Sequence, residues 1–135
     1  EIAILERFQA DDPMLALAAV TNPAEVVELQ EARKIIHISA PIREYIVDIV
    51  RATRSNPSLR LGASPRSSLG LMRAGQSLAA LRERNYVLPD DIKHLAVPVL
   101  AHRLILKEEE RLRGETTEHF LEEIIRQIPA PAPAE

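Results

Sequence analysis

The chain has 135 residues, of which 46% are apolar and only 3% aromatic, and its formal net charge is −3. This length is typical of one domain, and the aliphatic composition favours packed helices over a sandwich of aromatic strands. Because the chain has no cysteine, a disulfide framework, a thiol nucleophile and a cysteine-ligated metal site are excluded. Apolar runs such as residues 95–101 are far too short for a membrane span.

The two ends of the chain indicate how it is organised. Proline and alanine alternate from Pro129 to the end, which predicts a disordered tail at residues 129–135 after one helical domain over residues 1–128. The chain begins with Glu1 rather than Met and shows no secretory or transit signal. We therefore expect a fragment of a longer protein, a reducing, cytoplasmic setting and no membrane contact.

Positive charge is concentrated in the middle of the chain. Residues 51–84 contain seven arginines and a single acid, whereas the segments on either side have a net negative charge. Such a block either forms a surface for an anion or lays its arginine stems along helix faces with the charged ends in water. A nucleic-acid-binding helical module that uses residues 51–84 is the alternative function, although few aromatic residues are available for base stacking.

Helical patterns follow one another along most of the chain. In the clearest one, apolar residues occupy positions i, i+3, i+4, i+7 and i+8, namely Ile42, Tyr45, Ile46, Ile49 and Val50. The helix from residue 65 to about 84 has the widest apolar surface, so we expect it to be central, with a neighbour packed close at Gly70 and Gly75. The remaining helices are predicted at residues 1–8, 14–20 (after Asp11-Asp12-Pro13), 23–36 and 41–55, from Pro89 towards Pro98, and from Thr116 or Thr117 to Ile128.

Two short segments are predicted to be extended rather than helical. Residues 36–38 and residues 103–106 are rich in β-branched or apolar side chains, and we expect them to pair with each other. A helix break or kink is expected near Pro98, which has no N–H to donate to residue 94. The predicted fold class is therefore all-α, a small helical bundle with one short two-stranded β pairing.

Motifs for catalysis and for metal binding are absent from the sequence. There is no glycine-rich phosphate loop ending in Gly-Lys-Ser/Thr, and no context marks a nucleophile or an acid–base pair. The four histidines, His37, His94, His102 and His119, do not have the spacing of metal ligands. We therefore expect no catalytic residue and no metal site in this chain, and no activity from it alone.

The segment from residue 60 to residue 68 is the one candidate binding site. Ser64 suits the N-cap position and Pro65 the first helical position, which places Arg66 in the first turn of a helix. A cation there opposes the helix macrodipole at a cost of up to about 1 kcal/mol. A phosphate bound by the guanidinium and the free N–H groups would offset that cost, whereas the alternative is an exposed Arg66 that turns away.

The size of the interaction limits what Arg66 can do. One charge-assisted contact contributes roughly 1.5–3 kcal/mol, whereas millimolar binding requires about 4 kcal/mol. Arg66 could therefore form only one wall of a nucleotide site whose other walls lie elsewhere.

Five segments in order resemble the C-terminal lid of MoxR-family AAA+ ATPases (AAA-3 type), over about residues 1–113. They are His37–Ser39 with Arg43–Asp48, Arg51–Arg54, Leu61–Arg66, Tyr86–Lys93 and Val99–Arg103. The resemblance implies that Arg66 is the sensor 2 residue that reaches the γ-phosphate of ATP, with Ser64 and Pro65 at the helix start. It also implies an upstream α/β domain of the same chain that binds ATP and Mg²⁺ and hydrolyses ATP. The parent is then expected to form a homo-oligomeric ring, taken as a hexamer, and to remodel partner proteins as a chaperone does.

The sequence departs from the family pattern at two points. Leu88 stands where family members carry Thr before Pro-Asp-Asp, which removes a helix cap of about 1 kcal/mol. The phosphate loop, the acidic magnesium site and the sensor 1 residue are absent, so ATP hydrolysis would belong to the parent chain. Arg51 and Arg54 are expected to be structural because they lie near a helix end. His102 and Arg103 could either anchor the extended pair or meet a neighbouring subunit.

Overall fold

The computed structural model describes residues 1–9 and 13–132, and the chain forms two compact units, Glu1–Glu31 and Ala32–Glu135. The first unit contains α1 (Ile2–Phe8), a 3-10 turn at Pro13–Ala16 and most of α2 (Pro23–Ala32). Across the described residues, no helix is both long and apolar enough to span a bilayer.

The start of α2 is the one that the sequence predicts. Asn22 Oδ1 accepts a hydrogen bond from the Glu25 N–H at 3.1 Å, and Glu25 Oε2 accepts one from the Asn22 N–H at 3.3 Å. The Thr21 hydroxyl also donates to Glu25 Oε2, at 2.7 Å. These reciprocal bonds form a capping box that satisfies backbone donors at the helix start.

The helix predicted at residues 14–20 is wrong. Only the 3-10 turn at Pro13–Ala16 forms there, and residues 17–19 have no regular structure. Leu17 and Val20 are exposed, so little apolar burial offsets the cost of nucleating a short helix. Asp11 and Asp12, the predicted start of that helix, lie outside the described residues.

The second unit is a helical bundle that confirms the predicted fold class. In it α4 (Pro65–Leu81) packs against both α3 (Ala40–Ser55) and α5 (Pro89–Leu100), and α7 (Thr117–Gln127) packs against α3 and α5. All five apolar residues of the periodic pattern in α3 are buried in the core. A short helix, α6 (Glu108–Leu112), lies between β2 and α7 in the chain, where β2 is Ile105–Leu106.

Close packing of α4 occurs at Gly75, as the sequence predicts. A Cβ atom on Gly75 would lie 2.8 Å from Ile92 Cδ1 and 3.3 Å from Val87 Cγ1. At Gly70 the packing is looser, with Val99 Cγ1 3.8 Å from the Cβ position. The helix therefore approaches α5 most closely in its second half.

The predicted β pairing has the wrong partner. Strand β1 (Leu59–Leu61) pairs antiparallel with β2 (Ile105–Leu106), and Leu59 lies opposite Leu106. Residue 37 instead bridges to residue 86: the His37 N–H donates to the Asn85 carbonyl at 2.8 Å, and the Val87 N–H donates to the His37 carbonyl at 3.1 Å. The reason is burial, because Ile36 and Ile38 enter the core and their backbone meets the α4–α5 connection.

Helix α5 continues through Pro98 and ends two residues later at Leu100, so the helix does not break at Pro98 itself. A 3-10 turn follows at Ala101–Arg103. Ala96 and Leu100 are fully buried, and their burial offsets the one hydrogen bond that the proline cannot make.

The last helix and the tail complete the second unit. Thr116 is the N-cap of α7, and its hydroxyl accepts a hydrogen bond from the His119 N–H at 3.2 Å. Residues 129–132 have no regular secondary structure, and residues 133–135 lie outside the described part. Disorder of the tail and a single domain over residues 1–128 stay predictions.

Candidate functional site

The candidate site is the N-terminus of α4. The helix begins at Pro65, and Ser64 occupies the N-cap position in an extended conformation. The Ser64 hydroxyl makes no capping hydrogen bond, so Ser64 stands at the predicted N-cap position without capping the helix through its side chain. Ser67, in the same turn, is buried.

Arg66 lies in this first turn and is exposed. Within residues 1–9 and 13–132, its guanidinium has no hydrogen bond and no ion pair with another side chain or with the backbone. Its charge is therefore not neutralised by the part of the chain that the structure describes. An anion from outside this unit could reach both the guanidinium and the positive end of the helix macrodipole.

The end of α3 holds the loop that leads to Arg66. The Thr53 hydroxyl donates to the Val50 carbonyl at 2.7 Å and accepts a hydrogen bond from the Ala63 N–H at 2.9 Å. Arg54 Nη1 donates to the Ala63 carbonyl at 3.0 Å. Both polar backbone groups of Ala63 are thus bonded to consecutive residues of one helix. Arg54 has the structural role that its position predicts.

Gly62 makes this contact possible. A Cβ atom there would lie 2.6 Å from the Thr53 carbonyl oxygen and 2.7 Å from the Arg54 backbone nitrogen. Such distances to backbone atoms leave no room for any side chain. We call this set of contacts the α3 clamp; it consists of Thr53, Arg54, Gly62 and Ala63. The clamp determines where α4 begins and therefore where Arg66 lies.

A buried ion-pair cluster, which the sequence analysis did not anticipate, joins the end of α4 to the start of α5. Asp91 is fully buried, and its Oδ1 lies 2.9 Å from Arg82 Nη1 and 2.7 Å from Arg84 Nη2. Its Oδ2 accepts hydrogen bonds from Arg84 Nη2 at 2.8 Å and from the Leu88 N–H at 2.9 Å. This carboxylate therefore caps the backbone of Leu88 from position N3.

The cluster also changes how the arginine-rich segment, residues 51–84, is interpreted. Arg54, Arg82 and Arg84 all bind groups within the chain, so residues 51–84 do not form a continuous surface of unpaired cations. This observation weakens the nucleic-acid alternative. Within the described residues, the exposed arginines of the block whose side chains make no hydrogen bond or ion pair are Arg51, Arg60, Arg66 and Arg73.

Arg103 is a second cation near α4 that sequence reasoning left open. Its Nη1 lies 4.0 Å from the Cβ position of Gly70, one helical turn after Arg66. Residues four apart share a helix face, so Arg103 lies over the same face of α4 that carries Arg66 and Gly70. Arg103 Nε donates to His102 Nε2 at 3.2 Å. The absence of a side chain at Gly70 was the signal in the sequence for an approach of this kind.

No group of three or more His, Asp or Glu side chains that could hold a metal ion occurs in the described ranges, 1–9 and 13–132.

The family model described as the AAA lid domain matches residues 51–124, which include the α3 clamp, Arg66, the Asp91 cluster and Arg103. A candidate ATPase of Cytophaga hutchinsonii has a similar structure, with a TM-score of 0.85 and 27% identity over 97% of this chain and 42% of that one.

Three proteins are similar to this chain in amino-acid sequence. The uncharacterized protein YeaC of Bacillus subtilis is 37% identical over 131 residues, which is 97% of this chain and 41% of that protein. Chaperone MoxR1 of Mycobacterium tuberculosis is 35% identical over 64% of this chain and 26% of its own length. Protein MoxR of Paracoccus denitrificans is 32% identical over 71% of this chain and 32% of its own length. The chain thus spans less than half the length of each of these relatives.

Proposed function

This chain belongs to the AAA lid domain family and is the lid of a MoxR-type AAA+ ATPase, and from this premise we propose that Arg66 is its sensor 2 arginine. The observation that carries the proposal is an exposed guanidinium in the first turn of a 17-residue helix, with no partner in the described part of the chain. Arg66 would contact the γ-phosphate of ATP held by the α/β domain of the parent protein. Ser64 and Pro65 form the helix start that sets Arg66 in that turn.

The residues at the helix start fit a phosphate group. A helix N-terminus favours negative charge, and a guanidinium presents several N–H donors to phosphate oxygens. ATP with Mg²⁺ would supply the terminal phosphate and the energy of its hydrolysis. One contact of roughly 1.5–3 kcal/mol is enough to sense that phosphate but too little to hold the nucleotide.

The α3 clamp supports a sensing role for Arg66. Since both backbone groups of Ala63 are bonded to α3, the start of α4 cannot shift independently of the lid core. A side chain whose backbone is held in place loses less entropy when it meets its ligand than one on a mobile loop. Contact between Arg66 and the phosphate therefore couples the presence of that phosphate to the orientation of the whole lid.

The wider role concerns the parent protein. We propose that it binds and hydrolyses ATP and assembles as a homo-oligomeric ring of six subunits. We also propose that it remodels partner proteins in the cytoplasm. The similarity to chaperone MoxR1 supports the remodelling activity. The lid by itself would bind neither ATP nor Mg²⁺ stably.

The test uses the parent protein with Arg66→Ala. We expect ATP turnover to fall about tenfold or more, since each 1.4 kcal/mol of lost contact with the terminal phosphate corresponds to a factor of ten. Arg73→Ala is the matched control, because Arg73 is an exposed arginine of the same helix outside its first turn. Wild-type turnover and wild-type ATP-dependent assembly of Arg66→Ala would overturn the sensor role.

A further inference from the structure

A groove of about 430 Å³ lies on the second unit, and the chain's own C-terminal segment forms one of its sides. Its other sides are the residues before and at the start of α3 and the connection between α4 and α5. The residues that carry the argument are His37, Ile42, Tyr86, Val87, Pro89 and, from the tail, Pro131.

The groove is preformed by backbone hydrogen bonds. Its two sides are joined where the His37 N–H donates to the Asn85 carbonyl and the Val87 N–H donates to the His37 carbonyl. Ile42 and Val87 are buried and belong to the core, so the apolar base of the groove is part of the folded bundle. A segment that docks there need not create its own binding surface.

Tyr86 gives the groove an aromatic side chain held in a fixed position. The Arg84 guanidinium lies 5.8 Å from the centre of its ring and donates from Nη1 to the Tyr86 carbonyl at 2.9 Å. Arg84 is itself bound to the buried Asp91. Tyr86 nevertheless stays 47% exposed, so part of its ring is available to a ligand.

The tail has the chemistry that suits such a groove. Proline has no N–H, so a segment with proline at every second position leaves few backbone donors unpaired when it lies against an apolar surface. Proline also restricts the unbound segment, which lowers the entropy cost of docking onto aromatic side chains. Pro131 is half-buried, whereas Pro129, Ala130 and Ala132 are exposed. One proline ring is therefore the anchor.

We propose that this groove is a binding site for an extended proline-containing segment and that Pro131 and Ala132 of the same chain cover one side of it as a releasable strap. A single anchoring ring gives weak affinity, roughly millimolar for a separate peptide, and the tether compensates by keeping the segment at a millimolar effective concentration. The strap is thus bound for only part of the time. Tyr86 is 47% exposed with the tail in place, and release of the tail exposes more of its ring and of the apolar base of the groove.

The experiment reads the accessibility of Tyr86. The chain has no tryptophan and two tyrosines, and Tyr45 is buried, so collisional quenching of tyrosine fluorescence reports Tyr86. We expect quenching to increase about twofold when the chain ends at Ile128 or carries Pro131→Glu. Pro129→Glu is the matched control and should behave as the intact chain, since Pro129 lies outside the groove. Unchanged quenching in both the truncated chain and Pro131→Glu would overturn the proposal.

A second measurement identifies the occupant. A synthetic peptide of residues 128–135, added to the truncated chain, should reverse the quenching change and shift the amide signals of Tyr86 and Val87 in NMR spectra. The same peptide with Pro131→Glu should do neither. Quenching of the intact chain should not depend on protein concentration. A dependence would mean that the tail of a second copy fills the groove, and the intramolecular strap would be wrong.

Discussion

Arg54 Nη1 donates a hydrogen bond to the Ala63 carbonyl at 3.0 Å, and this bond ties the end of α3 to the loop before α4. Its neighbour Thr53 binds the N–H of the same residue, at 2.9 Å. Two consecutive residues of one helix thus define where the next helix and Arg66 begin.

Removing the Thr53 hydroxyl should weaken this junction. In Thr53→Val the buried Ala63 N–H loses its acceptor, so we expect the free energy of unfolding to fall by about 1–3 kcal/mol. Urea unfolding followed by circular dichroism measures the change. Thr53→Ser keeps the hydroxyl and should retain most of the stability, and equal losses in both variants would show that the methyl group, not the hydrogen bond, matters.

Gly62 and Gly70 should respond in opposite directions to the same substitution. Gly62→Ala places a methyl group 2.6 Å from the Thr53 carbonyl, and we expect a loss of about 1–3 kcal/mol from overpacking. Gly70→Ala meets its nearest neighbours at ordinary contact distances of 3.8 and 4.0 Å, so it should gain up to about 1 kcal/mol in helix stability. Thermal unfolding of the two variants checks the signs, and a stable Gly62→Ala would contradict the α3 clamp.

Asp91 should be essential for stability. Asp91→Asn removes the charge between Arg82 and Arg84 in a fully buried position, and we expect a loss of about 3 kcal/mol. Asp90→Asn is the control, because Asp90 is exposed and forms a surface ion pair with Lys93 at 3.2 Å. Chemical unfolding compares them; equal, small effects would mean that the cluster contributes no net stability.

Ionisation of the buried Tyr45 hydroxyl should reduce the stability of the protein at alkaline pH. Its hydroxyl is buried without a hydrogen-bond partner in the described part of the chain, and burial, with the nearby charge of Asp90, raises its pKa above the ordinary 10.0. In the unfolded chain Tyr45 ionises near pH 10.0, whereas in the folded chain its pKa is higher. The free energy of unfolding is therefore unaffected by Tyr45 ionisation below pH 10.0 and falls as the pH rises towards the folded-state pKa.

Tyr45→Phe tests this prediction. The variant should be more stable than the parent by about 1 kcal/mol near neutral pH, since it removes an unpaired buried hydroxyl. Its stability should also fall less steeply above pH 10.0 than that of the intact chain. Unfolding curves across this range measure both effects, and parallel pH profiles would show that Tyr45 does not titrate differently on folding.

Local patterns in the sequence predicted the helices that bury a regular apolar face, and the start of α4 at Pro65. They failed where a partner distant in the chain decides the outcome. The propensity of residues 36–38 for extended structure was correct, but burial of Ile38 turned the backbone towards Tyr86 rather than Ile105. The sequence predicts that a helix begins at Pro89, but it does not indicate that Asp91 is buried in an ion pair. Only the fold brings Arg82 and Arg84 to it.

The candidate site was predictable in part. Ser64, Pro65 and Arg66 follow from capping preferences, which depend on neighbouring residues alone. The contact of Ala63 with α3 depends on how two helices pack, and the approach of Arg103 to Gly70 joins positions 33 residues apart in the printed sequence. No single-sequence pattern carries such pairings.

The lack of space around Gly62 has a mechanical consequence. Its Cα sits against the backbone of Thr53 and Arg54, so α3 and α4 cannot pivot about residues 53–66 without separating those backbones. The two helices therefore act as a stiff lever, and any swing of the lid must have its hinge outside that stretch.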